Sequence, residues 1–145
     1  MRLRPPIVAL CLIVISLILH FIFPIKKIIF FPYSLLGIVG IILGLWLVLL
    51  GKGAFQRHGT SLRFEKPTKL VMSGPYRFTR NPMYLGYIIV LLGIAVLFGS
   101  LIAFISPIGF FLIMNFIIIP FEEKWLEKIF GKRYEEYKRR VRRWI

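Results

Sequence analysis

The chain has 145 residues, is 58% hydrophobic and has a mean hydropathy of +0.79, a composition that excludes an ordinary water-soluble domain. Its 20 Lys and Arg stand against six acidic residues, a net charge of +14. In so apolar a chain this excess reads as basic flanks of membrane helices meeting anionic lipid, and not as a nucleic-acid interface. One cysteine, Cys11, leaves no internal disulfide and no Cys/His metal cluster, so metal and nucleic acid are not expected as partners.

The chain opens MRLRPPIVALCLIVISLILHFIF. Its basic start resembles a signal peptide, but the apolar stretch is too long and no small-residue cleavage site follows. Residues 6–23 are therefore predicted as a retained transmembrane helix, with Cys11 a small hydrophobe inside it. Pro24 and Pro32 bracket the connection to a second span, 33–51. There Gly37, Gly40 and Gly44 share one side, and Gly40 and Gly44 form a GxxxG, the spacing of close helix packing. The 52–82 segment is long and polar, and Gly59, Pro67, Gly74, Pro75 and Pro82 predict that it folds in short turns. Loops of this length usually carry function. Two more spans follow, 83–98 and 101–120, separated only by Gly99 and Ser100 and so expected to be antiparallel neighbours. Each span is near the ~20 residues needed to cross the hydrocarbon.

The predicted fold is thus an all-α integral membrane protein, a single domain of four transmembrane helices with an amphipathic C-terminal tail, 121–145. With four spans, the N-terminus, the 52–82 loop and the tail share one side, which carries eighteen of the basic residues; the other side holds Lys26 and Lys27. The positive-inside rule then places both termini in the cytoplasm, with the cell membrane as the default location. In the tail, Leu126, Phe130, Tyr134, Tyr137, Val141 and Trp144 recur at three- to four-residue spacing, Gly131 marks a break, and Glu135–Arg139 and Glu136–Arg140 are i,i+4 pairs. The tail reads as a basic amphipathic helix on the cytoplasmic face, serving as a surface anchor or as a wall or lid over a site.

Polar residues gather at the ends of the last two spans. Glu122 and Glu123 follow Pro120 directly, and adjacent carboxylates are costly near hydrocarbon unless paired with arginine or used to hold a cation. Asn115 lies seven residues before Glu122, on the same helical face, where it serves as an interhelical hydrogen bonder or lines a cavity. The stretch GPYRFTRNPMYLG, residues 74–86, places Tyr76, Arg77, Arg80 and Tyr84 around a helix start, with Asn81 as a natural N-cap and Pro82 in the first turn. A helix N-terminus so furnished suits an anionic or zwitterionic ligand.

KLVMSGPYRFTRNPMYLG, followed by FEEKWLEKIFGKRYEEYKRRVRRW, resembles the isoprenylcysteine carboxyl methyltransferase family of integral membrane methyltransferases, with its phospholipid methyltransferase relatives. The likeness covers about residues 59–145, with HGTS at 58–61; the first two helices match only in hydrophobicity. The resemblance implies S-adenosylmethionine as methyl donor. By position, it implies cofactor contacts at Thr68, Lys69, Leu70, Val71, Tyr76, Asn81, Pro82, Met83, Tyr84 and Glu122, catalytic roles for Arg80 and Glu123, and Asn115 on the substrate side. A carboxylate and aromatic faces suit the donor's cationic sulfonium and ammonium. Asn81 stands where many relatives have His. Ile118 stands where eukaryotic members place an arginine implicated in substrate binding, which leaves Arg57, Arg63, Arg77 or Arg80 for that task.

The implied reaction is an in-line displacement on a lipid-like or prenylated acceptor. A carboxylate nucleophile, with a reference pKa near ~3.5, is ionised at pH 7 and needs no base, which favours O-methylation. Methylation of a lipid amine, an NADPH-dependent membrane reductase of related layout and a non-enzymatic lipid-binding bundle are the alternatives.

Overall fold

A computed structural model of the chain describes residues 5–23, 26–59 and 67–145. Arg2, Arg4, Pro24, Thr60, Ser61 and Arg63 lie outside the described residues. The helices are α1 (Pro5–Ile22), α2 (Leu36–Arg57), α3 (Pro82–Phe98), α4 (Ile105–Ile113), α5 (Ile119–Phe130) and α6 (Lys132–Arg140). A π-helical turn, Met114–Ile118, joins α4 to α5, so that Leu101–Phe130 forms one long apolar rod. That rod, Pro5–Ile22 and Tyr33–Arg57 are each long and apolar enough to cross a membrane, and Pro82–Phe98 is a shorter apolar helix.

α3 lies between α2 and α4, and α1 packs on α4. The α2–α3 contact is antiparallel and built on glycine. A Cβ on Gly44 would stand 2.6 Å from the Gly86 carbonyl oxygen, and one on Gly86 would stand 2.7 Å from that of Gly44; Gly37 and Gly93 meet in the same way two turns further along. Helices in lipid gain little from burying apolar side chains against each other, so backbone approach of this kind is what holds them. The outward faces of α1 and α2 remain apolar and exposed, with Leu10, Phe21, Leu36, Ile42, Trp46 and Leu49 among them, as a lipid-facing surface requires. The interior is filled by Leu91, Phe110, Met114 and Ile119, all nearly inaccessible.

At the end of the bundle away from α6, residues 26–29 pair with the 99–101 turn. Lys27 and Ser100 form an isolated bridge, and Ile28 and Ile29 both donate to the Gly99 carbonyl. Gly99 closes α3 at φ +67°, a left-handed conformation that glycine adopts without steric cost.

Three sequence expectations need correction. α2 runs on to Arg57, so the segment expected as a loop from residue 52 begins as helix. The helical period read through Trp144 ends at Arg140; Val141 is extended, at φ −121° and ψ 128°, because the last five residues turn back to hydrogen bond with the segment before α3. Asn81 occupies the N-cap position of α3, but its side chain makes no cap hydrogen bond and is used elsewhere. The break at Gly131 is present, at φ +50°.

Candidate functional site

The site is assembled where the 67–81 segment, the start of α3, α5 and α6 meet. Gly74, at φ +60°, lets the chain turn into a short 3-10 helix, Gly74–Arg77. That turn buries Tyr76 against Ala54, Val71 and Phe55, with the Phe55 and Tyr76 rings edge-on at 5.3 Å. The Thr79 hydroxyl accepts from the Asn81 backbone N–H at 3.1 Å, which fixes the approach to α3. Pro82 needs no N–H partner in the first turn, and the Asn81 carbonyl accepts the first helical bond from Leu85.

Successive helical residues point about 100° apart, so the two adjacent glutamates on α5 face different surroundings. Glu122 points toward α3, where its Oε1 accepts a 2.6 Å hydrogen bond from the Tyr84 hydroxyl. It stands beyond Pro120, outside residues 101–120, the segment expected from the sequence to cross the hydrocarbon. Burial pushes its carboxyl up to about 7; the Tyr84 hydrogen bond opposes this and the charge of Glu123 adds to it. Glu123 is buried among cations. Its Oε1 lies 3.0 Å from Arg80 Nη1 and accepts from Arg143 Nε at 3.2 Å, while its Oε2 accepts from Arg143 Nη2 at 2.8 Å. Arg80 is itself buried, with 10% of its side chain exposed. Its Nη1 is thus paired with Glu123, and its Nε is enclosed without a hydrogen-bond partner.

α6 supplies the outer wall. Its apolar face is used within the protein: Tyr134, Tyr137 and Val141 pack on Leu70, with Met72, Leu126 and Phe130 around them, and the Tyr137 hydroxyl donates to the Tyr76 carbonyl at 2.7 Å. Burial raises the Tyr134 hydroxyl to about 12, with the Glu123 charge adding and Arg80 opposing. The ion pair on the outer surface joins Lys138 to Glu127.

Between these elements lies a cleft whose empty volume, counting its open mouth, is ≈ 910 Å³. Of the residues singled out from the sequence, Lys69, Leu70, Val71, Tyr76, Arg80, Asn81, Met83, Tyr84, Glu122 and Glu123 line it. Phe55, Pro67, Ile119, Trp125, Leu126, Tyr134 and Tyr137 complete the wall. Thr68 and Pro82 lie beside it in sequence without lining it, and Pro82 is fully buried. Asn115 is not on the wall; its Oδ1 accepts from Arg143 Nη1 at 3.3 Å and from Trp144 Nε1 at 3.0 Å.

Sequence reasoning missed Arg143. Besides Glu123 and Asn115, this residue accepts at its backbone carbonyl from the Thr79 hydroxyl at 3.1 Å and the Asn81 amide at 3.0 Å, and the neighbouring Arg142 carbonyl accepts from Arg80 N–H at 3.0 Å. Nothing in its immediate sequence separates it from the other arginines of the tail; only the Asn81 and Asn115 amides hinted that polar partners were needed.

Fold and site together define a helical membrane protein with two enclosed carboxylates, Glu122 and Glu123, and the Arg80 guanidinium at the end of its bundle, beneath a basic tail. The chain matches the phospholipid methyltransferase family over residues 33–133, and it belongs to that family, to which its motifs pointed. It is 35% identical over 130 residues to protein-S-isoprenylcysteine O-methyltransferase B of Arabidopsis thaliana, covering 81% of this chain and 64% of that protein. It is 32% identical over 137 residues to the protein-S-isoprenylcysteine O-methyltransferase of Saccharomyces cerevisiae, covering 86% of this chain and 56% of that one. A protein of Haemophilus influenzae is 40% identical over 63 residues, its whole length and 43% of this chain. The chain thus spans about 60% of the length of the two named relatives. No solved structure matches it significantly.

Proposed function

We propose that the chain is an S-adenosylmethionine-dependent membrane methyltransferase that esterifies a carboxylate on a lipid-like, prenylated acceptor. The observation that carries this reading is the placement in one cleft of Glu122, held by Tyr84 at 2.6 Å, and of Arg80, paired with Glu123 at 3.0 Å. The helices long and apolar enough to cross a membrane and the names of the relatives suggest the acceptor class.

The residues fit the donor. Glu122 offers a negative charge to a sulfonium or an ammonium, the Tyr76 and Tyr84 rings offer faces to a cation, and Leu70, Val71 and Leu126 offer an apolar slot for an adenine. Bound S-adenosylmethionine supplies an electrophilic methyl group on a cationic sulfur. The protein's own work is positioning. Tyr84 orients the Glu122 carboxylate, and Arg80 directs an acceptor carboxylate that arrives already ionised and needs no base. Tyr134, Tyr137 and Leu126 keep water from the reacting groups.

In this reading Pro82–Phe98 is the fourth crossing segment, the chain forms one membrane domain in the cell membrane, and both termini and the cleft face the cytoplasm, as the basic asymmetry requires. The soluble donor then enters from the cytoplasm and the acceptor from the bilayer. Titration of the purified protein with S-adenosylhomocysteine and with NADPH tests the assignment. Saturable binding of the first alone is expected; binding of NADPH alone would assign a reductase instead.

A further inference from the structure

We infer that the outward face of α5 at Phe121, Lys124 and Lys128 is the seat of one anionic phospholipid, its phosphate held between the two lysines and an acyl chain lying on Phe121. The inference rests on Leu101–Phe130 crossing the bilayer, for which it is long and apolar enough. It is independent of the reaction at the cleft.

This face of α5 lacks a counter-charge, although the helix carries three glutamates. Each glutamate is committed elsewhere. Glu122 accepts from Tyr84, Glu123 is paired with Arg80 and Arg143, and Glu127 is paired with Lys138 of α6. Lys124 and Lys128 are exposed, and among the described residues neither is in an ion pair. Four positions apart, they are neighbours on the helix surface, about 5–6 Å between Cβ atoms, and like charges so placed disfavour the helix. An anion between them turns that repulsion into attraction to a shared partner.

The two lysines also stand at the depth of lipid phosphates. The rod exposes Ile105, Ile108, Leu112, Phe116, Ile117 and Phe121 in turn, and Lys124 is its first exposed charge. At a rise of 1.5 Å per residue, Leu101 to Phe121 covers about 30 Å, the thickness of the hydrocarbon. Lys124 then lies about 5 Å and Lys128 about 10 Å beyond it, in or just past the headgroup layer, and the flexible stem of Lys128 reaches back. Phe121, Lys124 and Lys128 fall within about 60° of one another around the helix, so one amphiphile meets all three. They line a groove with Trp125 and with Glu127, whose charge Lys138 already neutralises. Trp125 lines the catalytic cleft as well, so the seated lipid backs one wall of that cleft.

The tail offers no equivalent seat. α6 turns its apolar face inward, with Tyr134, Tyr137 and Val141 packed on Leu70. Its exposed Arg139 and Arg140 each follow an exposed glutamate, Glu135 and Glu136, by four residues, the spacing at which opposite charges offset each other.

The test is native mass spectrometry of the full chain titrated in detergent with phosphatidylglycerol or with phosphatidylcholine. The variants are Lys124→Gln/Lys128→Gln and, as a control that removes the same charge, Arg139→Gln/Arg140→Gln. All four residues are exposed, and an unchanged melting midpoint checks that each variant folds. The parent should retain one phosphatidylglycerol in preference to phosphatidylcholine. The lysine pair should need about 10- to 30-fold more lipid for the same occupancy, and the arginine pair should stay within threefold of the parent. A second measurement locates the lipid. With Phe121 replaced by the photoreactive p-benzoylphenylalanine, irradiation should cross-link phosphatidylglycerol, and Lys124→Gln/Lys128→Gln should remove most of that product. Equal losses in the two double variants, phosphatidylcholine held as tightly as phosphatidylglycerol, or cross-linking indifferent to the lysines would overturn the inference. Lipid retained by a protein that transfers no methyl group leaves the inference standing and overturns the proposed function alone.

Discussion

Replacing Glu122 by Gln separates binding from folding with particular clarity. The Glu122 carboxyl is held near 7 by burial, against an ordinary 4.5. At 1.36 kcal/mol per pH unit, keeping it charged in the ligand-free protein costs on the order of 3 kcal/mol. The sign follows from linkage: a group whose folded pKa is raised destabilises the fold as pH rises from 4.5, and the penalty is complete above 7. Gln removes that penalty while leaving an acceptor for the Tyr84 hydroxyl, so ligand-free Glu122→Gln should melt no lower than the parent at pH 8. The same change removes the charge that holds a cationic ligand. Loss of a charge-assisted hydrogen bond is worth about 1.5–3 kcal/mol, or roughly 10- to 150-fold in affinity. Calorimetric titration with S-adenosylmethionine, alongside thermal unfolding without it, measures both. Binding within threefold of the parent, or a ligand-free protein that melts well below it, would refute the reasoning.

Because a cationic ligand needs Glu122 ionised, S-adenosylmethionine affinity should fall as pH drops below about 7, and calorimetry in buffers of different ionisation enthalpy at pH 6 should show proton release on binding; a flat profile would count against Glu122. Gly86→Ala places a Cβ 2.7 Å from the Gly44 carbonyl oxygen and should destabilise the α2–α3 pair by about 1–3 kcal/mol in thermal unfolding; an unchanged midpoint would show that the helices do not meet there. In a Cys11→Ala background, Lys27→Cys and Arg57→Cys should label from opposite sides of sealed vesicles, and labelling from one side would break the topology. Deleting residues 141–145, which dock Thr79, Arg80 and Asn81, should weaken retention of S-adenosylhomocysteine as well as membrane association; full retention would reduce the tail to an anchor.

What was legible in the sequence was local or periodic. Apolar runs marked the helices, and the repeat of Gly37, Gly40 and Gly44 marked a face of close approach without saying that α3 would answer it with Gly86 and Gly93. Glu122 and Glu123 were conspicuous as charges near hydrocarbon, but which one faces the cleft and which one is spent on arginines depends on helix rotation relative to α3 and the tail. The tail was the least legible part. Its three- to four-residue spacing is helical through Arg140, and the same spacing continues to Trp144, where it no longer means helix. What stops the helix is a set of hydrogen bonds to residues more than sixty positions earlier, and no local pattern encodes a partner at that distance. For the same reason Asn81 read as a cap, although its amide is used by the Arg143 carbonyl.

The central claim, methyl transfer to a carboxylate at this cleft, is tested most directly by supplying the protein in nanodiscs with methyl-labelled S-adenosylmethionine and three acceptors. These are an N-acetyl-S-prenylcysteine, its methyl ester and phosphatidylethanolamine. The account predicts label in the free acid alone, released as volatile methanol by alkali and absent from Arg80→Gln and Glu122→Gln. Alkali-stable label on the amine lipid, or equal labelling of the ester and the acid, would contradict it.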